Sequence, residues 1–204
     1  MTDLGDDPWA EVAGDWHRDT GPRVYARAAF ESLVDVLEGR DLVLDGAVVC
    51  DFGCGTGLLV EQLVHRVGSI DAVDTSAAML AELHANIDRS GWTTVHPSDR
   101  IPQRQGSHDL VVCSSVLGFV DDHPATVRRL ASLLRPGGIL VHLDWERLDG
   151  GDDDDGHGLS RPEVRSALEA AGLVDVVVDT AFELDIDGET MCPLVGVGVR
   201  PRPN

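Results

Sequence analysis

Residues 47–57 read Ala47-Val48-Val49-Cys50-Asp51-Phe52-Gly53-Cys54-Gly55-Thr56-Gly57. A short apolar run of strand type closes on Asp51, and glycines then stand at the alternate positions 53, 55 and 57. Behind them Leu58, Leu59, Val60, Leu63 and Val64 recur at helical spacing, with Glu61 and Gln62 turned outward. The stretch is therefore strand, tight glycine turn, helix. Such a turn lets backbone N–H groups and a helix N-terminus approach a ligand, because glycine lacks the Cβ that would block it.

The spacing of the turn limits the ligand. A dinucleotide turn is Gly-x-Gly-x-x-Gly with a pyrophosphate on the helix N-terminus. Here the pattern is Asp-x-Gly-x-Gly-x-Gly, and the acid at Asp51 disfavours a phosphate and suits an ammonium group. A Walker loop is excluded, since no Gly-Lys-Ser/Thr follows and the chain contains no lysine. Downstream, Ser69-Ile-Asp-Ala-Val-Asp-Thr-Ser76 reads as a second short strand ending at Asp74. An acid at that strand end can accept both hydroxyls of a ribose. Ammonium at the first strand and ribose at the second describe S-adenosylmethionine.

With these residues the chain resembles the class I S-adenosylmethionine-dependent methyltransferases, in particular small ones acting on small molecules. The motifs are Val48 to Gly57, Val73-Asp-Thr-Ser-Ala-Ala-Met-Leu80, His108-Asp-Leu-Val-Val-Cys-Ser-Ser-Val-Leu117 and Leu133-Leu-Arg-Pro-Gly-Gly-Ile-Leu140. Their order and spacing carry the resemblance, which spans roughly residues 10 to 200. It implies an α/β fold: a doubly wound, mostly parallel, Rossmann-like sheet of seven strands, preceded by N-terminal helices and finished by an antiparallel pair.

The 204 residues suit one domain with a full core. The expected division is an N-terminal helical cap over 1–40, a cofactor-binding core over 41–147, and a C-terminal helix with antiparallel strands over 148–204. Net charge is −20, and all 16 basic residues are arginine. Genome bias or a salty cytoplasm explains that composition, and either way it repels nucleic acid and anionic membranes. Cys50, Cys54, Cys113 and Cys192 have no metal or redox spacing. Cys50 and Cys192 read as small buried residues, whereas Cys54 and Cys113 fall in ligand-facing motifs and are expected to be reachable. No signal-like or membrane-spanning stretch stands out, so a cytoplasmic protein is expected.

Along the chain, residues 1–8 are polar and expected to be loose. One or two helices over 10–38 close at Gly39. Strands are expected at 47–52, 69–74, 92–96, 108–113 and 138–144, with helices at 57–67, 76–89 and 123–134 between them. Alternation of this kind implies a parallel sheet covered on both faces. Residues 148–158, with the acidic run Asp152 to Asp155, read as a solvated loop. Ser160 and Glu163 form a capping box for a helix beginning at Pro162 and ending at Gly172. Strands near 173–184 and 190–199 finish the chain.

The candidate cofactor residues are Asp51, Gly53, Cys54, Gly55, Gly57, Asp74, Thr75, Met79, Ser98, Asp99 and Cys113. Asp51 either bonds the turn backbone or meets the ligand ammonium. Asp74 is either the ribose acceptor or a helix cap, a job Ser76 can do itself. Met79 either touches adenine or belongs to the core. The stretch His96-Pro-Ser-Asp-Arg-Ile-Pro102 departs from the family pattern, because Pro97 stands where relatives carry an acid. Either Asp99 reaches adenine after a loop shift, or Ser98 uses its backbone N–H, or the stretch is a plain surface turn. Cys113 and Ser114 end the fourth strand, where methyl and acceptor meet in such enzymes.

For catalysis the candidates are His142, Asp144, Glu146 and Tyr25. The first three alternate at the end of the fifth strand and so point to one side. Asp121 and Asp122 read as a helix opening rather than a carboxylate pair. Asp152 to Asp155 with His157 lack the ligand alternation of a calcium loop, so no metal is expected. Trp16, His17 and Tyr25 lie in the N-terminal helix that, in similar enzymes, closes over the cofactor.

The resemblance implies methyl transfer from S-adenosylmethionine to a small-molecule acceptor by direct in-line displacement, leaving S-adenosylhomocysteine. No nucleic acid or membrane partner is expected, and the chain would act as a monomer or homodimer. The rival readings are a non-catalytic S-adenosylmethionine-binding module, a Rossmann oxidoreductase, and transfer of the cofactor's aminopropyl group.

Overall fold

The strand that ends at Asp51 and Phe52 lies inside a seven-stranded sheet, next to the point where strand order reverses. The structure is a computed structural model and describes residues 7–147, 158–186 and 189–203. In chain order come α1 (Ala13–Trp16), α2 (Thr20–Glu38), β1 (Val48–Phe52), α3 (Leu58–Leu63), β2 (Ser69–Val73) and α4 (Ala77–Ser90). Then follow β3 (Val95–Ser98), β4 (His108–Ser114), a 3-10 turn at Leu117–Phe119, α5 (His123–Leu133) and β5 (Leu134–Asp144). The last elements are α6 (Arg161–Ala170), β6 (Val174–Thr180), β7 (Leu184–Ile186), β8 (Glu189–Met191) and β9 (Leu194–Val199).

The sheet order is β3-β2-β1-β4-β5-β9-β6. The strands from β3 to β5 are parallel, and β9 runs antiparallel to both β5 and β6. The pleat divides the core. Val49, Val112 and Val141 face one layer with Leu33, Leu63 and Leu83, while Cys50, Val111 and Leu140 face the other with Leu130 and Leu168. Each leucine so buried contributes roughly 1.5–3 kcal/mol. These strands read as continuous apolar runs because helices cover both faces.

Local chemistry sets the boundaries. Ser76 accepts the N–H of Met79 and caps α4, Asp122 accepts the N–H of Ala125 and caps α5, and Ser160 with Glu163 closes the capping box of α6. The third strand was expected at 92–96 but begins at Val95. After the left-handed Gly91 the chain uses Trp92 as a core residue, and the ladder with β2 starts only at Ile70 and Val95. The long strand expected at 173–184 stops at Thr180, which pairs with Leu194. Pro193, next on the partner strand, has no N–H to extend the ladder, and the chain leaves to form the β7–β8 hairpin. Cys192 is exposed there, not buried as expected.

Among the described residues no helix is long and apolar enough to cross a membrane. The expected acidic loop Asp152 to Asp155 and His157 lie outside the described residues.

Candidate active site

The glycine turn is tied to the neighbouring strand. The N–H groups of Gly53 and Cys54 both donate to Val73 O, at 2.7 and 3.0 Å. Gly53, Gly55 and Gly57 have φ of 76, 51 and 90°, the left-handed region that side chains avoid. A Cβ on Gly53 would stand 2.4 Å from Val116 Cγ2, and one on Gly57 would stand 2.6 Å from Leu83 Cδ1. The turn therefore needs glycine twice over, for its conformation and for its packing.

Two carboxylates border this turn. Asp51 is 1% exposed, and its Oδ2 has no hydrogen-bond partner. Burial, and next the charge of Asp74, push its pKa up to about 7. A buried carboxylate with a bare oxygen is costly unless a donor arrives. Asp74 Oδ2 accepts from Gly55 N at 2.8 Å, and its Oδ1 accepts from Ser76 N at 2.9 Å. Burial also raises the Asp74 pKa, against the pull of these N–H groups. Capping of α4 thus falls to Ser76, leaving Asp74 at the strand end beside the turn. Met79 is buried, its sulfur 3.9 Å from where a Cβ on Gly55 would be. Thr75 is exposed.

Other expected residues take different places. Cys54 and Cys113 are buried, and desolvation holds both thiols well above the usual range. Cys113 belongs to the core layer with Cys50 and Val111, so neither cysteine is the reachable thiol the motifs suggested. Ser98 spends its hydroxyl on a turn with Arg100, and its carbonyl accepts from Asp74 N at 3.1 Å. The Asp99 side chain is 67% exposed and pairs with Arg100 at 3.6 Å. It turns to solvent, since nothing draws a lone carboxylate inward past Pro97.

His142 and Asp144, expected on one side of the strand, also touch: Nε2 lies 3.2 Å from Asp144 Oδ2, with both side chains fully buried. Asp144 also accepts the N–H groups of Leu117, Gly118 and Trp145, at 2.9, 3.2 and 2.9 Å. Its work is to anchor the turn after β4. His142 Nδ1 has no partner, nor does Nε2 of His123, whose ring centroid lies 5.7 Å away. Burial first, then His142, push the His123 pKa down to about 4. Glu146 does not join the pair. It grips Arg161 of α6 through both oxygens, at 2.7 and 2.9 Å.

Tyr25 reaches the same end of the sheet from α2. Its ring packs on Trp145 and Phe182 at 5.1 and 5.5 Å. The hydroxyl lies beside Ser114 without a hydrogen bond of good geometry, and burial, then Asp144, raise its pKa. A neutral phenol there is a donor looking for an acceptor.

The N-terminal segment adds Asp7 and Trp9, which the sequence reading left out, to Trp16 and His17, which it named. Asp7, expected to be loose, accepts the Ser76 hydroxyl at 2.7 Å and the N–H of Trp9 at 3.1 Å. Trp9 packs edge-on against Phe119 at 5.4 Å and Trp16 at 5.7 Å. His17 Nδ1 lies 3.2 Å from Thr56 Oγ1 and 3.1 Å from Asn86 Nδ2, while Asn86 also donates to Thr56 O at 2.9 Å. Burial lowers the His17 pKa. The one local signal for the Asp7 turn was Asp7-Pro8, a pair that starts turns. Among the described residues no group of three or more His, Cys, Asp or Glu can hold a metal ion.

Residues 50–142 match a family model described as a methyltransferase domain. The ubiquinone biosynthesis O-methyltransferase of Xanthomonas campestris pv. campestris is 33% identical over 138 residues, covering 66% of this chain and 57% of that protein. The chain thus spans 57% of the length of the curated relatives it matches. Magnesium protoporphyrin IX methyltransferase from Synechocystis PCC 6803, solved with bound S-adenosylhomocysteine, superposes with a TM-score of 0.72 at 18% identity, over 95% of this chain and 97% of that one. A methyltransferase complexed with the Trm112 activator from Haloferax volcanii gives 0.72 at 21%, over 94% and 98%. The fold is the Rossmann-like one these structures share.

Proposed function

We propose that this chain, which belongs to the class I S-adenosylmethionine-dependent methyltransferase family, transfers a methyl group to a small-molecule acceptor. The observation that carries the reading is the pair of acids around the glycine turn. Asp51 offers a buried, unpartnered carboxylate oxygen to an ammonium group, and Asp74 stands at the end of β2, where a ribose is held. The residues present therefore fit S-adenosylmethionine.

Gly53, Gly55 and Gly57 keep the turn free of side chains, and Met79 lies beneath Gly55. The bound cofactor supplies an activated methyl group, which an acceptor atom displaces in line. The protein's contribution is alignment and exclusion of water. Asp144 fixes the turn after β4 through the backbone N–H groups of Leu117 and Gly118, and the Tyr25 hydroxyl can donate to an acceptor atom beside Ser114. Neither His142 nor Asp144 has solvent access, so we assign them positioning rather than proton abstraction. The O-methyltransferase relatives favour an oxygen acceptor, such as a phenol that ionises readily. We place the N-terminal segment through residue 40 as a cap, residues 41–147 as the cofactor core, and the remainder as the sheet's completion, with the reaction in the cytoplasm. The four unpaired cysteines support that compartment.

Calorimetric titration with S-adenosylmethionine and S-adenosylhomocysteine, on wild type and Asp74→Ala, tests the cofactor. Micromolar binding that Asp74→Ala weakens supports the reading, and a screen with labelled methyl donor then seeks the acceptor. Absence of binding to either compound at low and high salt would sink it. Binding with no transfer to any acceptor would favour a binding module.

A further inference from the structure

We infer that His17 is a positioning residue for the glycine turn: in its neutral form it clasps the N-terminal segment to Thr56, and gaining a proton releases the clasp. One imidazole thereby ties the seating of that segment, and the affinity of the turn, to acidity. The clasp stands on geometry; its effect on cofactor affinity rests on the cofactor reading above.

Thr56 stands between Gly55 and Gly57 and is fully buried. Its hydroxyl lies 3.2 Å from His17 Nδ1, and its carbonyl accepts from Asn86 Nδ2 at 2.9 Å. The same amide nitrogen lies 3.1 Å from His17 Nδ1. Groups from the N-terminal segment, the glycine turn and α4 thus converge on one ring nitrogen, across 39 and 69 residues of chain. Asp7 holds the other end of the segment on Ser76.

Counting hydrogens fixes the form of the ring. Asn86 Oδ1 accepts from Arg89 and Nδ2 donates to Thr56 O, so the amide is oriented and its nitrogen has only hydrogens to offer. His17 Nδ1 must therefore accept. The ring hydrogen belongs on Nε2, which faces Glu61 Oε2 at 3.7 Å. A proton added to Nδ1 would set donor against donor at 3.1 Å. Charged groups face the ring from three helices: Glu61 of α3 and Glu82 of α4 favour a proton, while Arg23 of α2 and Arg89 of α4 oppose it. Burial is the largest influence, and the net effect lowers the pKa from the ordinary 6.5. The folded value lies below the unfolded one, so the clasp is complete above pH 6.5 and is lost as pH falls through the folded value. Packing alone would be indifferent to which nitrogen carries the hydrogen.

The test has two arms, both on the full chain. Nitrogen NMR of isotope-labelled imidazoles, with the His17 signals identified by their loss in His17→Asn, reads the tautomer in the cofactor-free protein. A bare Nδ1, a hydrogen on Nε2 and a titration midpoint below pH 6.5 are expected. A hydrogen on Nδ1, or a midpoint at or above pH 6.5, would overturn the clasp. Calorimetry with S-adenosylhomocysteine then compares wild type, His17→Asn and His17→Ala. Asparagine offers an acceptor oxygen near the Nδ1 position and does not titrate. At pH 8, His17→Asn should bind within about twofold of wild type, and His17→Ala about fivefold or more weakly. As pH falls to 5, the affinity of wild type relative to His17→Asn should drop by about threefold or more. The titration of Asp51 is common to both chains and cancels in that ratio. A ratio that stays constant, or His17→Asn no tighter than His17→Ala, would overturn the coupling; the ratio and the NMR decide the matter even if His17→Ala folds poorly. If wild type binds S-adenosylhomocysteine and the NMR arm fails, the cofactor reading stands and this inference falls. If the NMR arm succeeds and wild type binds none, the cofactor reading falls, and the coupling with it, while the clasp stands.

Discussion

Asp74 Oδ2 accepts the N–H of Gly55 at 2.8 Å, so the carboxylate assigned to the ribose also shapes the turn assigned to the amino acid end of the cofactor. The two halves of the site share one group. Asp74→Asn keeps an acceptor for one backbone N–H but removes the charge and one of two acceptor oxygens. Charged hydrogen bonds are worth about 1.5–3 kcal/mol. Affinity for S-adenosylhomocysteine should therefore fall by about tenfold or more. Burial already penalises the ionised form, so thermal stability should hardly change. Calorimetry alongside thermal unfolding separates the two effects.

Asp51 predicts a pH dependence with a definite sign. Its folded pKa of about 7 lies above the ordinary 3.8. The protonated carboxyl therefore favours the fold fully below pH 4, and that contribution, about 4 kcal/mol at most, is lost as pH rises through 7. Binding of an ammonium group requires the carboxylate and must expel the proton. Affinity for S-adenosylhomocysteine should drop as pH falls from 8 to 5, approaching about tenfold per unit below the pKa. Binding heats at pH 6 should depend on the buffer's ionisation enthalpy. Asp51→Asn should bind weakly and lose this dependence, while being more stable than wild type at pH 8. An unchanged pH profile in that variant would contradict the assignment.

Gly53 and Gly57 should respond to alanine for stated reasons. Each has a positive φ that costs an L residue about 1–2 kcal/mol, and each new Cβ would meet a neighbour within 2.6 Å. At Gly57 that neighbour is the end of a flexible side chain, Leu83 Cδ1, which can move. At Gly53 it is the branched Val116, with three atoms within 2.8 Å. Gly53→Ala should therefore destabilise more, and Gly53→Ala with Val116→Ala should recover part of the loss. Thermal unfolding of the two single variants and the double variant checks this order.

Much of this arrangement was legible in the chain because it is local. The 53–57 glycines, the acid at each strand end, and the caps at Ser76, Asp122 and Ser160 are each set by residues within a few positions. The alternation of His142 and Asp144 gave their shared side, since a strand puts such residues on one face, though not the bond between them. What the chain did not disclose depends on contacts far apart in sequence. Cys54 and Cys113 occupy ligand-type motifs, yet the packing of whole layers buries them. Asp7 binds Ser76 across 69 residues, and no periodicity encodes that bond. Thr180 ends a strand because Pro193 arrives opposite, a partner known only once the sheet is assembled.

Asp144 and Glu146, two residues apart, should behave as opposites. Asp144 is fully buried and serves the N–H groups of Leu117, Gly118 and Trp145 as well as His142. Asp144→Ala leaves these donors without an acceptor in the interior, at about 3–5 kcal/mol. For a chain of this size that corresponds to a fall in Tm of about 6–20 °C. Glu146 pairs with Arg161, whose side chain is 38% exposed, and such pairs are worth about 1 kcal/mol or less. Glu146→Ala should shift Tm by no more than about 4 °C. If Asp144 were instead a proton acceptor for the reaction, Asp144→Asn would remove turnover while leaving Tm and cofactor affinity unchanged. Positioning predicts a lowered Tm with a pH profile of turnover that keeps its shape.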